Sequence, residues 1–144
     1  MRVEIIPVKT TTEERATLFV KERTAEIEQA VALLQEHHIH MPVYCEGKIS
    51  MLPIRDIYYI EVVDKKTFVY TKDNCFEAKH RLYELERVLD YRFRRCSKSM
   101  IINIMKIRYV HTQVYGRMEA KLLNDECILI SRSYVKDLKK GLGI

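Results

Sequence analysis

The sequence predicts a mainly β, α+β chain: a multi-stranded β domain with short helices, preceded by a small α/β N-terminal element. Three observations predict it. From Val43 onward, β-branched and aromatic residues gather in short runs separated by turn residues. Within that region only two segments keep the spacing of an amphipathic helix. Before it, one helical pattern dominates. The expected division is 1–45 for the α/β element and 46–144 for the β domain.

In order along the chain, "VEIIPV" and "ATLFVKE" read as short strands around "TTTEER". "TAEIEQAVALLQEHH" reads as a helix over 24–38. Thr24 is its N-cap, Glu26 lies in its first turn, and Ile27, Ala30, Val31 and Leu34 form an apolar stripe. Met41-Pro42 favours extended chain. "DIYYIEVV" and "TFVYT" then read as a hairpin closed by "DKK", and "DNC" turns the chain into "FEA". A second helix, "KHRLYELERVLDY", puts Leu82, Leu85, Val88 and Leu89 on one face. "RRCSKSMIINIMKI" runs from a charged loop into a core strand. "RYVHTQVY", a turn at Gly116, "MEAKLL", the turn "NDE" and "CILIS" complete the β pattern. "YVKDLKKGL" closes it as a helix with Val135, Leu138 and Leu142 inward.

The composition fits one core-forming domain with a small appendage: 144 residues, 47% apolar and 31% charged, with 4 Gly and 3 Pro. No apolar run approaches the roughly 20 residues that span a bilayer. The N-terminus lacks the pattern of a signal peptide, so a cytoplasmic protein is expected. Cys45, Cys75, Cys96 and Cys127 show no C-x-x-C pair and are expected to be free thiols, mostly packed as small hydrophobes.

The net charge of +5 is unevenly spread. Residues 1–45 hold five Lys/Arg against seven Asp/Glu, and the remainder carries the basic excess. No acidic residue lies between Asp90 and Glu119, while Arg92, Arg94, Arg95, Lys98, Lys106, Arg108 and Arg117 do. Such a field attracts polyanions.

The chemistry of an enzyme is not legible. The glycines form no phosphate cradle. Ser133 and Lys136 match an S-x-x-K string that lacks its partner motifs. His37, His38 and His40 fall at an expected helix end without the spacing of a metal site. Glu84 and Glu86 do not face each other on a helix and form no carboxylate dyad. Neither a cofactor nor a metal is expected. Cys96, beside Arg95 and Lys98, is read as structural rather than as a redox switch.

Three clusters suit binding instead. "DKKT" presents Lys65, Lys66 and Thr67 at a hairpin tip. "RCSKS" places Lys98 between Ser97 and Ser99. "SRSYVKDLKK" places Ser131, Arg132, Ser133, Lys136, Lys139 and Lys140 where a strand becomes a helix. Phosphates need donors, and base edges need donors and acceptors. Nucleic acid is the leading partner. An acidic protein or membrane surface is one alternative. RNA is another, through stacking on Tyr58, Tyr59, Phe68 and Tyr70.

The ordered motifs "DIYYIEVVDKKTFVYT", "LYELERVL", "FRRCSKSMIINIMKI" and "ILISRSYVKDLKK" resemble the LytTR DNA-binding domain of bacterial transcription regulators, over about residues 46–142. The resemblance implies an elongated fold of about ten strands whose loops, rather than a recognition helix, enter major grooves. By position it implies base reading at Lys66 and Thr67, at Lys98, and at Arg132 and Ser133. Arg95, Ser97, Ser99, Arg117, Tyr134 and Lys136 become positioning or phosphate contacts, and Asn103 a brace for the loop. Many members carry His where Ser97 stands, so the preferred sequence differs. Residues 1–45 are too short for a receiver domain, which resembles the stand-alone regulators. A homodimer on repeated half-sites, paired through helix 24–38, is expected.

Overall fold

Two pairs of consecutive left-handed residues set the first hairpins of the β domain. Glu46 and Gly47 have φ of 49° and 74°, and Asp64 and Lys65 have φ of 51° and 64°. Positive φ at both central residues gives a two-residue turn whose twist matches that of paired strands. In the computed structural model, residues 2–4, 16–34 and 40–144 are described. The chain divides into two units, Met1–Glu36 and His37–Ile144.

In the first unit, α1 (Ala25–Leu34) begins where the sequence predicts. The Thr24 hydroxyl accepts from the Ile27 amide at 3.4 Å, and the Thr24 carbonyl accepts from Glu28 at 3.0 Å. No residue of α1 is fully buried. The expected strand at 16–22 does not form; "ATLFVKE" has the composition of a strand without a pairing neighbour. The expected strand at 3–8 and the helix end at 35–38, with His37 and His38, lie largely or wholly outside the described residues.

The second unit runs β1 (His40–Cys45), β2 (Lys48–Pro53), β3 (Tyr59–Val63), β4 (Lys66–Tyr70), β5 (Cys75–Ala78), α2 (Leu82–Val88), β6 (Phe93–Ser97), β7 (Met100–Asn103), β8 (Ile107–Thr112), β9 (Met118–Leu122), β10 (Cys127–Ile130) and α3 (Arg132–Leu142). A seven-stranded sheet has the order β2-β1-β5-β4-β3-β7-β6, and a three-stranded sheet the order β10-β9-β8. Each pairing is antiparallel. The mainly β architecture with short helices is as predicted. His40–Cys45 pairs with β2 and, through Tyr44 opposite Glu77, with β5. These residues belong to the larger sheet, and His40 opens a strand instead of closing a helix.

Alternation along the strands separates two cores. Met41, Val43, Ile60, Val69, Ala78 and Ile101 turn to one face of the large sheet, where Leu82 and Leu85 of α2 pack. Tyr59 and Ile102 turn to the other, against Met118, Ala120, Leu122, Ile128 and Ile130 of the small sheet and Leu138 of α3. Val135 and Leu142 pack against the same cluster, so the inward face of the last helix is as its spacing predicts. Val88, expected on the buried face of α2, is 63% exposed. It is the last residue of that helix, and Leu89 beyond it makes the contact.

Candidate nucleic-acid interface

The β6–β7 connection is two residues, Lys98 and Ser99. A register slip between Arg95 and Ser97 leaves Cys96 as the extra residue of a β-bulge. Bulges re-aim the side chains that follow them, and here the next exposed side chain is Lys98. The loop is held from inside. Arg95 Nε donates to the Ser97 carbonyl at 2.9 Å and Nη2 to the Lys98 carbonyl at 2.6 Å, while Nη1 meets Glu86 at 3.0 Å. The Ser99 amide donates to Ser97 Oγ at 3.2 Å, and the two hydroxyls lie 3.4 Å apart. Ile101, Ile102 and Ile104 are buried behind the loop.

Asn103, expected to brace the Lys98 loop, bonds backbone as expected but at Ile57 and Met105, beyond that loop. Fully buried, it donates through Nδ2 to the Ile57 carbonyl at 2.8 Å and accepts through Oδ1 from the Met105 amide at 3.0 Å.

Two backbone bonds join the neighbouring clusters to this loop. The Val62 amide donates to the Ser99 carbonyl at 2.8 Å, which sets the tip of the β3–β4 hairpin beside Lys98. The Ser131 amide donates to the Cys96 carbonyl at 2.9 Å, which fixes the start of α3 against the bulge. Arg94 reinforces that join: it reaches Asp137 at 3.5 Å and packs where a side chain at Gly141 would sit, 2.9 Å from its Nε. The three predicted clusters therefore meet at one end of the large sheet.

A fourth segment completes the surface. Arg117, after the turn at Gly116, lines an open cleft of about 1210 Å³ with Tyr115, Leu129, Ile130, Ser131, Arg132 and Ser133. The Arg132 stem lies 3.3 Å from where a Cβ on Gly116 would be. Beyond the cleft, Arg132, Lys136 and Lys140 follow one another at i, i+4 and i+8 along α3, and Lys139 lies beside them. The first turn of a helix also offers amides without helical acceptors, which favour an anion.

Charge pairing sorts the cations. Among the described residues, Arg23, Arg92, Arg94, Arg95 and Arg108 form ion pairs with carboxylates. Lys65, Lys66, Lys98, Arg117, Arg132 and Lys136 are exposed and form none. Arg95, expected as a positioning or phosphate contact, is engaged by Glu86 and the loop carbonyls, a positioning arrangement. Thr67 is a departure: it is 5% exposed, and its hydroxyl donates to the His80 carbonyl at 2.8 Å. The turn is Asp64-Lys65 rather than "DKK", so Lys66 starts the strand facing outward and Thr67 turns in. Ser97 and Tyr134 are half-buried, whereas Ser99 and Ser133 are exposed. Lys139 and Lys140 were legible as part of a basic cluster, but only the helical register shows that they extend the stripe of Arg132 and Lys136.

The tyrosines weighed for RNA stacking are committed elsewhere. Tyr58 and Tyr59 are buried, and Tyr59 stacks on Tyr70 with ring centroids 4.4 Å apart. Burial and a bond to Glu126 raise the Tyr59 hydroxyl above its usual range. Glu84 accepts from the Arg81 amide at 3.0 Å, capping α2. Of the four thiols only Cys96 is buried; Cys45, Cys75 and Cys127 are exposed, which corrects the expectation that most are packed. Burial pushes the Cys96 thiol up to about 12 despite Arg95 beside it.

A seven-stranded sheet with basic loops gathered at one end, beside the basic face of α3, has the character of a DNA-binding domain. The profile of the LytTr DNA-binding domain matches residues 47–143, and the chain belongs to that family. It is 33% identical over 101 residues to an uncharacterized HTH-type transcriptional regulator of Staphylococcus aureus (strain bovine RF122 / ET3-1), covering 70% of this chain and 69% of the relative. A counterpart in strain NCTC 8325 / PS 47 is 32% identical over the same shares. A solved LytTr DNA-binding domain from Bacillus cereus superposes with a TM-score of 0.69 at 26% identity, covering 73% of this chain and 97% of that one. In this chain α2 and α3 are separated by five strands, so the two do not form a helix-turn-helix. Among the described residues, no helix is long and apolar enough to cross a membrane.

Proposed function

We propose that this bacterial transcription regulator reads double-stranded DNA in the major groove, in the cytoplasm, through Lys66, Lys98, Arg132 and Ser133. Lys65, Ser99, Arg117 and Lys136, with Lys139 and Lys140, hold phosphates. Arg95, Ser97 and Tyr134 position the loops. The observation that carries this reading is the convergence of loop clusters bearing exposed, unpaired cations, joined by the Val62–Ser99 and Ser131–Cys96 backbone bonds. Phosphate contacts set register, and Lys or Arg at a loop tip recognises the O6 and N7 acceptors of guanine. Replacing guanines of a bound duplex by 7-deazaguanine removes the N7 acceptor alone. Weaker binding at discrete positions is expected; indifference at every position overturns major-groove reading.

One domain offers few base contacts, and a homodimer on repeated half-sites supplies the remaining affinity. The first unit supports this pairing role. Phe19 is 95%, Leu33 80% and Leu34 61% exposed, a density of apolar surface that a second copy would cover. Leu33→Glu combined with Leu34→Glu in the full chain should shift sedimentation from dimer to monomer. Unchanged dimerisation removes α1 from the interface.

A further inference from the structure

Tyr115 is not explained by the fold. It sits at φ 64°, ψ 26°, in the left-handed region that bulky residues avoid. The residue is 83% exposed, and among the described residues its side chain has no hydrogen bond or ring partner. Gly116 follows at φ 74°, so two successive left-handed residues turn the β8–β9 connection outward. The same cleft holds Arg117 and Arg132 and is floored by Leu129, itself 54% exposed. An aromatic side chain held in an unfavourable backbone state, without a hydrogen bond or ring partner among the described residues, in a cleft that it shares with two unpaired arginines, has its use outside the molecule.

We infer that Tyr115 is a specificity-determining DNA contact, seating a thymine methyl group against its ring and Leu129 while Arg117 and Arg132 hold the adjacent backbone and base edge. Thymine is the base that presents an apolar group in the major groove, and apolar side chains discriminate it there. The two arginines fix the approach of the duplex, so the ring meets a base at a defined step. This rests on the major-groove reading proposed above.

The test uses the full chain and a duplex enriched from random sequence, with uracil replacing thymine one position at a time. Uracil lacks only the C5 methyl, so wild type should lose about fourfold in affinity at one position, the worth of a single buried methyl. Tyr115→Ala should bind the unmodified duplex more weakly and ignore uracil at that position. Tyr115→Gly, which suits positive φ, should raise the melting temperature while lowering specific affinity, a pairing that a structural role would not give. A Tyr115→Ala protein with the wild-type uracil profile overturns the inference even where 7-deazaguanine still weakens binding. A duplex insensitive to both analogues overturns the major-groove reading itself.

Discussion

The guanidinium of Arg95 holds the carbonyl oxygen of Lys98 at 2.6 Å, so of the two roles expected for it, positioning or phosphate contact, its geometry suits the clamp of the Lys98 loop. Its Nε and Nη1 are committed to Ser97 and Glu86. Arg95→Ala should therefore weaken specific binding without changing the slope of log K against log salt, because no phosphate contact is lost. Lys136→Ala should lower that slope by about 1. Arg95→Lys should not rescue, since an ammonium cannot span two carbonyls and a carboxylate in the same fork geometry. Titration of binding against salt for the three variants checks this, and a reduced slope for Arg95→Ala would make it a phosphate contact instead of a clamp.

Lys98→Ala and Arg132→Ala should each cost about 1–3 kcal/mol on the preferred duplex and much less on random duplex. Fluorescence anisotropy on the two duplexes separates the roles. Equal losses on both would make either residue a backbone contact.

Asn103→Leu keeps the volume near that of the native side chain but removes the donor to the carbonyl of buried Ile57. A buried unmet polar group costs about 1–3 kcal/mol. Urea unfolding should show a lower midpoint with an unchanged m-value.

Cys96 makes a pH prediction. Its folded thiol is pushed up to about 12 by burial, against an ordinary 9.0. The unfolded chain loses this proton first, so stability is intact below pH 9 and falls as pH climbs from 9 toward 12. Cys96→Ala should flatten that alkaline decline, read by melting temperature against pH. In the native protein Cys45 and Cys127 should react quickly with a thiol reagent, Cys75 more slowly because burial raises its thiol, and Cys96 only on unfolding.

Most of the interface was legible because its parts are local. "MIINI" reads as a buried strand, and the 3.6-residue spacing of Val135, Leu138 and Leu142 fixes α3. What escaped was non-local. Which partner Arg95 takes depends on α2 lying across β6, a tertiary placement that no spacing reveals. Thr67 escaped through one residue of turn length: a three-residue "DKK" loop would present it, but the two-residue Asp64-Lys65 turn sends it inward. The strand at His40–Cys45 escaped because Pro42 and the preceding histidines imitate a helix end, whereas Glu46-Gly47 closes a hairpin that joins the main sheet.

The central claim is that loops at one end of the sheet read DNA sequence, and selection from random duplex DNA tests it most directly. Wild type should enrich a repeated motif with guanines at fixed positions, and Lys98→Ala should relax one of those positions while retaining the others. A wild-type protein that binds the library but enriches no sequence would contradict the account.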